Sequence, residues 1–157
     1  FVPDIKTNKP IIQKSKISHA LYINKLLDVS WLKDLPGIVS ADVCAGKRVD
    51  SSLLQYLDYF FISDEDAFAD IKTMASLTKG HVILHTSKSS VVSDGKTERT
   101  YTLDDSLYVP KSNVLGAGDM FASSFLHAMH TDKDLESAMT YAHETTSKLI
   151  RTENEKV

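Results

Sequence analysis

Between Asn113 and Phe121 the chain reads Asn113-Val-Leu-Gly116-Ala117-Gly118-Asp119-Met-Phe121, two glycines and an aspartate ahead of a strongly apolar helical stretch. Glycines let the backbone turn with its amides unshielded, and a helix that begins there adds partial positive charge at its N-terminus. Together they make a hole for an anion. An aspartate at the mouth of such a hole is kept ionised by the helix field, and it can take the proton of a hydroxyl whose oxygen attacks a phosphoryl group. Phosphoryl transfer depends mostly on positioning and charge stabilisation, so the amides of Gly116, Ala117 and Gly118 would count as much as Asp119 acting as base. The same residues also have a plainer reading, a tight turn followed by a capping aspartate.

The elements around this turn can be read from apolar spacing. The opening 1–16 carries Pro3, Pro10 and several lysines without clear periodicity, which suits an irregular arm or an edge strand. Residues 20–23 read as a short buried strand, and Asn24 as the cap of a helix with Leu26, Leu27, Trp31 and Leu32 on its apolar side, stopped by Pro36-Gly37. Residues 38–41 form a second strand candidate, succeeded by a loop with Asp42 and a short helix over 50–57. Residues 59–62 form a third. Ser63 or Asp64 then caps a helix that includes Phe68, Ile71, Met74, Ala75 and Leu77, closed by Gly80. Residues 81–84 are a fourth strand, and Asp94-Gly95 between two alternating runs is a hairpin signal. Leu107 to Val109 is a strand candidate before the glycine turn, and helices come after it over 119–130 and 133–151.

Short, continuously apolar strands that alternate with helices imply parallel strands covered on both faces, hence an α/β fold. In such sheets ligands gather at the carboxyl ends of the strands, where loops meet helix N-termini. At 157 residues one domain is the default, and 42% hydrophobic with 25% charged residues is a globular composition. The net charge of -3 gives no electrostatic drive toward nucleic acid, so any phosphate must be held locally. No apolar run approaches the roughly 20 residues that cross a bilayer, which argues against membrane insertion. The single cysteine, Cys44, excludes an intramolecular disulfide framework and agrees with a cytoplasmic location.

The glycine-aspartate segment resembles the C-terminal signature of the ribokinase-like, or PfkB, carbohydrate kinases, D-T-x-G-A-G-D-x-F. Helical Phe125-Leu126-His-Ala-Met129, and then Leu135 to Ala142, resemble the helical runs that come after the signature in that family. The resemblance is good over residues 109–142 and weaker elsewhere. It implies a three-layer, Rossmann-like open sheet, mostly parallel with a β-hairpin, and ATP-dependent transfer of a phosphoryl group to a hydroxyl of a sugar or related small molecule, with Mg2+. It makes Asp119 the catalytic base and Gly116, Ala117 and Gly118 the anion hole.

The same likeness implies further site residues. Residues 82–90, ending Lys88-Ser-Ser90, stand where the family shows v-i-v-T-x-G-x-x-G, with Ser87 and Ser90 in place of the two glycines. Serine hydroxyls can donate, yet the side chain restricts the backbone and adds bulk where nucleotide phosphates would approach. Val109, Asn113 (in place of the leading aspartate of the signature) and His143 (where an amide often lies near the adenine) complete the implied nucleotide-binding set. Residues 38–42 resemble the family strand that ends in an aspartate. Residues 61–66 resemble its N-x-x-E motif with both end residues changed, and Asp66 keeps a carboxylate that would act on magnesium through water. That acidic run also reads as a capped helix start.

The resemblance reads residues 1–157 as a single α/β domain, the nucleotide and catalytic-turn part of a kinase whose sugar-binding half and lid lie outside this chain. A fragment of a longer kinase and a natural half-length relative both fit. Three functions stay open: a sugar kinase, a pseudokinase or regulatory module favoured by Ser87, Ser90 and Asn113, and a nucleoside or vitamin-precursor kinase. Expected partners are a sugar or sugar-phosphate acceptor, with room for a homodimer. Lys88 and Lys111 can each meet phosphate or remain solvated. The histidines lack a paired ligand spacing, which argues against zinc.

Overall fold

A computed structural model describes residues 10–26, 28–43, 49–109 and 115–154. Among these residues six strands run β1 Ile17–Ala20, β2 Ile38–Ala41, β3 Tyr59–Ser63, β4 His81–His85, β5 Ser89–Ser93 and β6 Glu98–Thr102. They lie in one sheet in chain order, β1-β2-β3-β4-β5-β6. β1 pairs in parallel with β2, Ile17 opposite Ile38, and β2 pairs in parallel with β3, Ser40 opposite Tyr59. The links after β4 and β5 are too short for crossovers, so these strands return as hairpins. The class is α/β, with a sheet that is mostly parallel over its crossover-connected strands.

Residues 10–12, expected in an irregular arm or edge strand, are α-helical, and three longer α-helices are described: α1 Ile71–Ser76, α2 Ala117–His130 and α3 Leu135–Asn154. The chain separates into two compact units, Phe1–Leu84 with Val91–Arg99, and His85–Ser90 with Thr100–Val157. The first is built on an apolar core of Ile23, Leu32, Val39, Leu54, Phe60, Ile62, Met74 and Val82, all essentially inaccessible to water. Asp58 ties its strands together, accepting from the Val39 N–H at 2.9 Å while its other oxygen meets Lys79 Nζ at 2.8 Å. Gly37 enters β2 at φ 71°, and a Cβ there would collide with the Lys16 carbonyl. The second unit packs α2 against α3, with Phe121, Phe125 and Leu126 buried on one helix and Ala138, Met139 and Ala142 buried on the other.

Strands β2, β3 and β4 fall on the expected runs, and the hairpin turns at Asp94-Gly95. There Asp94 Oδ1 accepts from the N–H groups of Lys96 at 2.9 Å and Thr97 at 2.7 Å. These bonds hold the exposed carboxyl down at about 2. Helix α2 begins two residues before Asp119, and α3 begins at Leu135 behind Asp134, whose carboxylate accepts from the Ser137 N–H at 2.7 Å.

Five expectations need correction. The first strand is 17–20 rather than 20–23, because Tyr22 takes a left-handed conformation and ends the run. The helix expected after Asn24 is replaced by two 3-10 turns, Ile23–Lys25 and Ser30–Asp34. Asp28 accepts from the Ser30 N–H at 2.9 Å, a local bond that competes with a continuous helix. The 50–57 helix is likewise a 3-10 segment, Ser51–Tyr56, capped by Asp50. The helix expected from Ser63 or Asp64 starts only at Ile71, because Asp70 accepts from both the N–H and the hydroxyl of Thr73. Residues 107–109 are turn and coil, with the Leu107 N–H donating to the Asp104 carbonyl at 2.9 Å.

Candidate functional site

Helix α2 opens on Gly116, which sits in the left-handed region at φ 88°, ψ 11° and brings no capping side chain. Only glycine adopts this conformation without strain. The first N–H groups of an α-helix have no intrahelical acceptor, and the dipole places partial positive charge among them. Residues 116–120 are all partly open to solvent, while Leu115 just before them is 98% exposed. Asp119 lies in the first turn, and a Cβ at Gly116 would be 3.6 Å from its Oδ2. The carboxylate therefore folds back beside the bend. Gly116, Ala117, Gly118 and Asp119 are thus brought together at one helix terminus that solvent reaches.

Beside this terminus His85, which the sequence did not single out, stands in one group with Ser90 and His143, both named above as candidates. The imidazole of His85, at the end of β4, lies over Gly118, where a Cβ would be 3.4 Å from its Cε1. His85 packs on Phe121 with ring centroids 5.4 Å apart, and Phe121 meets His143 edge-on at 4.9 Å. His143, on α3, is 7% exposed and its Nε2 lies 2.8 Å from the hydroxyl of Ser90, which is fully buried. Burial chiefly, and the neighbouring His85 second, lower the His143 imidazole to about 4, so at neutral pH it is uncharged. His85 stands at the threonine position of the loop pattern that residues 82–90 resemble. That substitution was the available signal, though only the fold places it against Gly118.

The loop between β4 and β5 is closed on itself. Thr86 Oγ1 accepts from the N–H groups of Lys88 at 3.1 Å and Ser89 at 3.0 Å, and the Thr86 N–H donates to the Ser89 carbonyl at 2.8 Å. Ser87 is exposed at its tip. Lys88 Nζ stands 4.4 Å from the centroid of the Tyr108 ring, a cation–π arrangement. Val109 is partly buried at the end of the segment that comes after the Leu107 turn. Asn113, Lys111 and Cys44 lie outside the described residues.

The other acidic candidates belong to the first unit. Asp42, 8% exposed, accepts from the Tyr22 N–H at 2.5 Å, and His19 reaches both Asp42 Oδ2 at 3.5 Å and Ser40 Oγ at 2.9 Å. These bonds fix the turn after β1. Asp66 Oδ2 accepts from the Ser63 hydroxyl at 2.9 Å, and its N–H donates to the Ser63 carbonyl, so 63–66 is a turn. Among the described residues no group of three or more His, Cys, Asp or Glu is arranged to hold a metal ion. None of the described helices is long and apolar enough to cross a membrane.

No family model matches this sequence, and no curated protein does. Solved structures do match. A pyrophosphate-dependent kinase in the ribokinase family, solved with sulfate, superposes with a TM-score of 0.74 at 16% identity, covering 95% of this chain and 61% of that one. Ribokinase from Thermotoga maritima gives 0.72 at 17% identity, over 96% and 60%. Adenosine kinase from Schistosoma mansoni gives 0.73 at 13% identity, over 94% and 54%. The chain has the ribokinase-like fold and spans about three fifths of the length of the first of these kinases.

Proposed function

We propose that this chain is the donor-side and catalytic-turn part, residues 1–157, of a kinase that transfers a phosphoryl group to a hydroxyl of a sugar or related small molecule. One observation carries the reading: a left-handed Gly116 opens α2 beside the Asp119 carboxylate, on the fold shared with sugar, inositol and nucleoside kinases. In this scheme Asp119 takes the acceptor hydroxyl proton as its oxygen attacks phosphorus. The amides of Gly116, Ala117 and Gly118 stabilise the charge that builds on the transferring group. The donor is ATP or, as for the first kinase named above, pyrophosphate. Magnesium would neutralise donor phosphates; such ions are held by one or two carboxylates together with phosphate and water.

Asp119→Asn, made in the full-length protein that carries this chain, tests the assignment. Loss of a general base lowers turnover by about 10²–10⁴-fold, while donor affinity measured by calorimetry should stay within about threefold. Undiminished turnover would refute the role. A second reading, a relative that keeps the fold and does not turn over, is favoured by the self-closed Thr86 loop and by the mutual burial of Ser90 and His143. For that reading, neither ATP nor pyrophosphate with magnesium gives binding heat. A nucleoside or vitamin-precursor acceptor would leave the chemistry unchanged and alter only the half of the kinase that binds it.

A further inference from the structure

Side chains from four elements meet in one chain of contacts inside the second unit. Ser90, fully buried in β5, lies 2.8 Å from His143 Nε2 on α3. Phe121, two residues after Asp119 on α2, meets His143 edge-on with ring centroids 4.9 Å apart and His85, from the end of β4, at 5.4 Å. His85 in turn lies against Gly118 in the first turn of α2. The start of that helix is thus tied to β4 and α3 through two imidazoles and one phenyl ring. A neutral His143 suits this place. A positive charge there would lose most of its hydration, and Ser90 offers only one hydroxyl in return. Of the described residues, the titratable groups that face it are His85, Tyr101 from β6, Asp104 just after β6, and Glu136 and Glu144 on its own helix; the last four line with it a cavity of about 360 Å³. A protonated ring is drawn toward these carboxylates, whose wall Phe121 does not share.

We propose that Ser90, His143, Phe121 and His85 form a proton-sensitive clamp on the start of α2, closed while the His143 imidazole is neutral and slackened when it takes up a proton. The clamp stands apart from the kinase reading and holds whatever the start of α2 binds. In a slackened state that wets His143 the ring titrates near its ordinary 6.5, against about 4 in the closed one, where burial first and His85 second oppose its charge. The slackened state binds the proton that the closed state refuses. It therefore gains on the closed state as pH falls through this window, about tenfold for each unit. Above the window the clamp does not respond to pH.

NMR of the chain between pH 7.5 and 3.5 decides it, read at the two imidazoles, the Phe121 ring and the Gly118 amide. As His143 titrates, the NOEs from the Phe121 ring to both imidazoles should fade, and the Gly118 amide should move with the same midpoint. His143→Gln keeps a hydrogen-bonding partner for Ser90 and cannot take up a proton, so its Phe121-to-His85 NOEs should persist at the acid end. NOEs that stay at full strength after His143 has titrated overturn the proposal. Their loss at equal pH in His143→Gln also overturns it and places the switch at another group. Cooperative unfolding before these signals change is a third refutation, because the contacts would then open only with the whole fold. Should the variant fail to fold, the wild type decides: NOEs that fade with the His143 midpoint support the clamp, and NOEs that fade with the His85 midpoint refute it.

Discussion

Replacing His143 with Gln gives a quantitative check on the buried pair. The Gln amide can reach the place of Nε2 and keep a hydrogen bond to Ser90, but it cannot take up a proton. In the unfolded chain the imidazole titrates near its ordinary value of 6.5; in the folded protein burial first, and His85 second, hold it to about 4. Between these values the unfolded state binds a proton that the folded state refuses, so stability falls as pH drops through this window and the loss is complete below about 4. At 1.36 kcal/mol per pH unit the window is worth roughly 3 kcal/mol, a large share of the roughly 5–15 kcal/mol that holds a domain together. The assay is urea denaturation of wild type and His143→Gln at pH 7.5, 6.0, 5.0 and 4.0. Carboxylates titrate in both proteins, so the difference between the two curves isolates His143. The wild type should lose roughly 3 kcal/mol more than the variant, nearly all of it between pH 6.5 and 4. Parallel curves would show that His143 is hydrated or protonated in the folded state, and would remove the basis for a sealed Ser90–His143 contact.

Other perturbations separate the parts of the structure. Gly116→Ala forces a Cβ into a left-handed backbone and should cost about 1–2 kcal/mol in thermal or chemical denaturation, with a further loss of phosphoryl transfer in the full-length protein as the bend shifts; an unchanged midpoint would mean that the bend relaxes. Phe125→Ala, at the fully buried centre of the α2–α3 packing, should cost about 3–5 kcal/mol, read as a lowered urea midpoint; a loss under 1 kcal/mol would show that the helices close over the gap.

Much of the α/β order can be read from local signals. Tyr59-Phe-Phe-Ile62 and His81-Val-Ile-Leu84 are continuously apolar because they are largely buried strands, and Asp94-Gly95 names its own turn. The helix boundaries near 26 and 64 are harder, because several residues with equal capping propensity compete. Asp28 and Asp70 win through specific bonds to Ser30 and Thr73 that no periodicity encodes. The same division holds for the candidate site. Gly116 to Asp119 are contiguous, so their placement at one helix start can be read from the sequence. The contact of Ser90 with His143 joins residues 53 positions apart, and the approach of His85 to Gly118 exists only in the folded chain.

The sheet places its strands in the order in which they are synthesised. A nascent chain can therefore extend it by adding each new strand to the margin just completed, without leaving a gap for a later segment to enter. Loop closure at every step involves only the intervening turn or helix, whose entropy rises slowly with length, and premature pairing with a distant partner is correspondingly disfavoured. By this route α2, with Gly116 and Asp119 at its start, emerges after the six described strands, so any anion pocket there is completed late in folding.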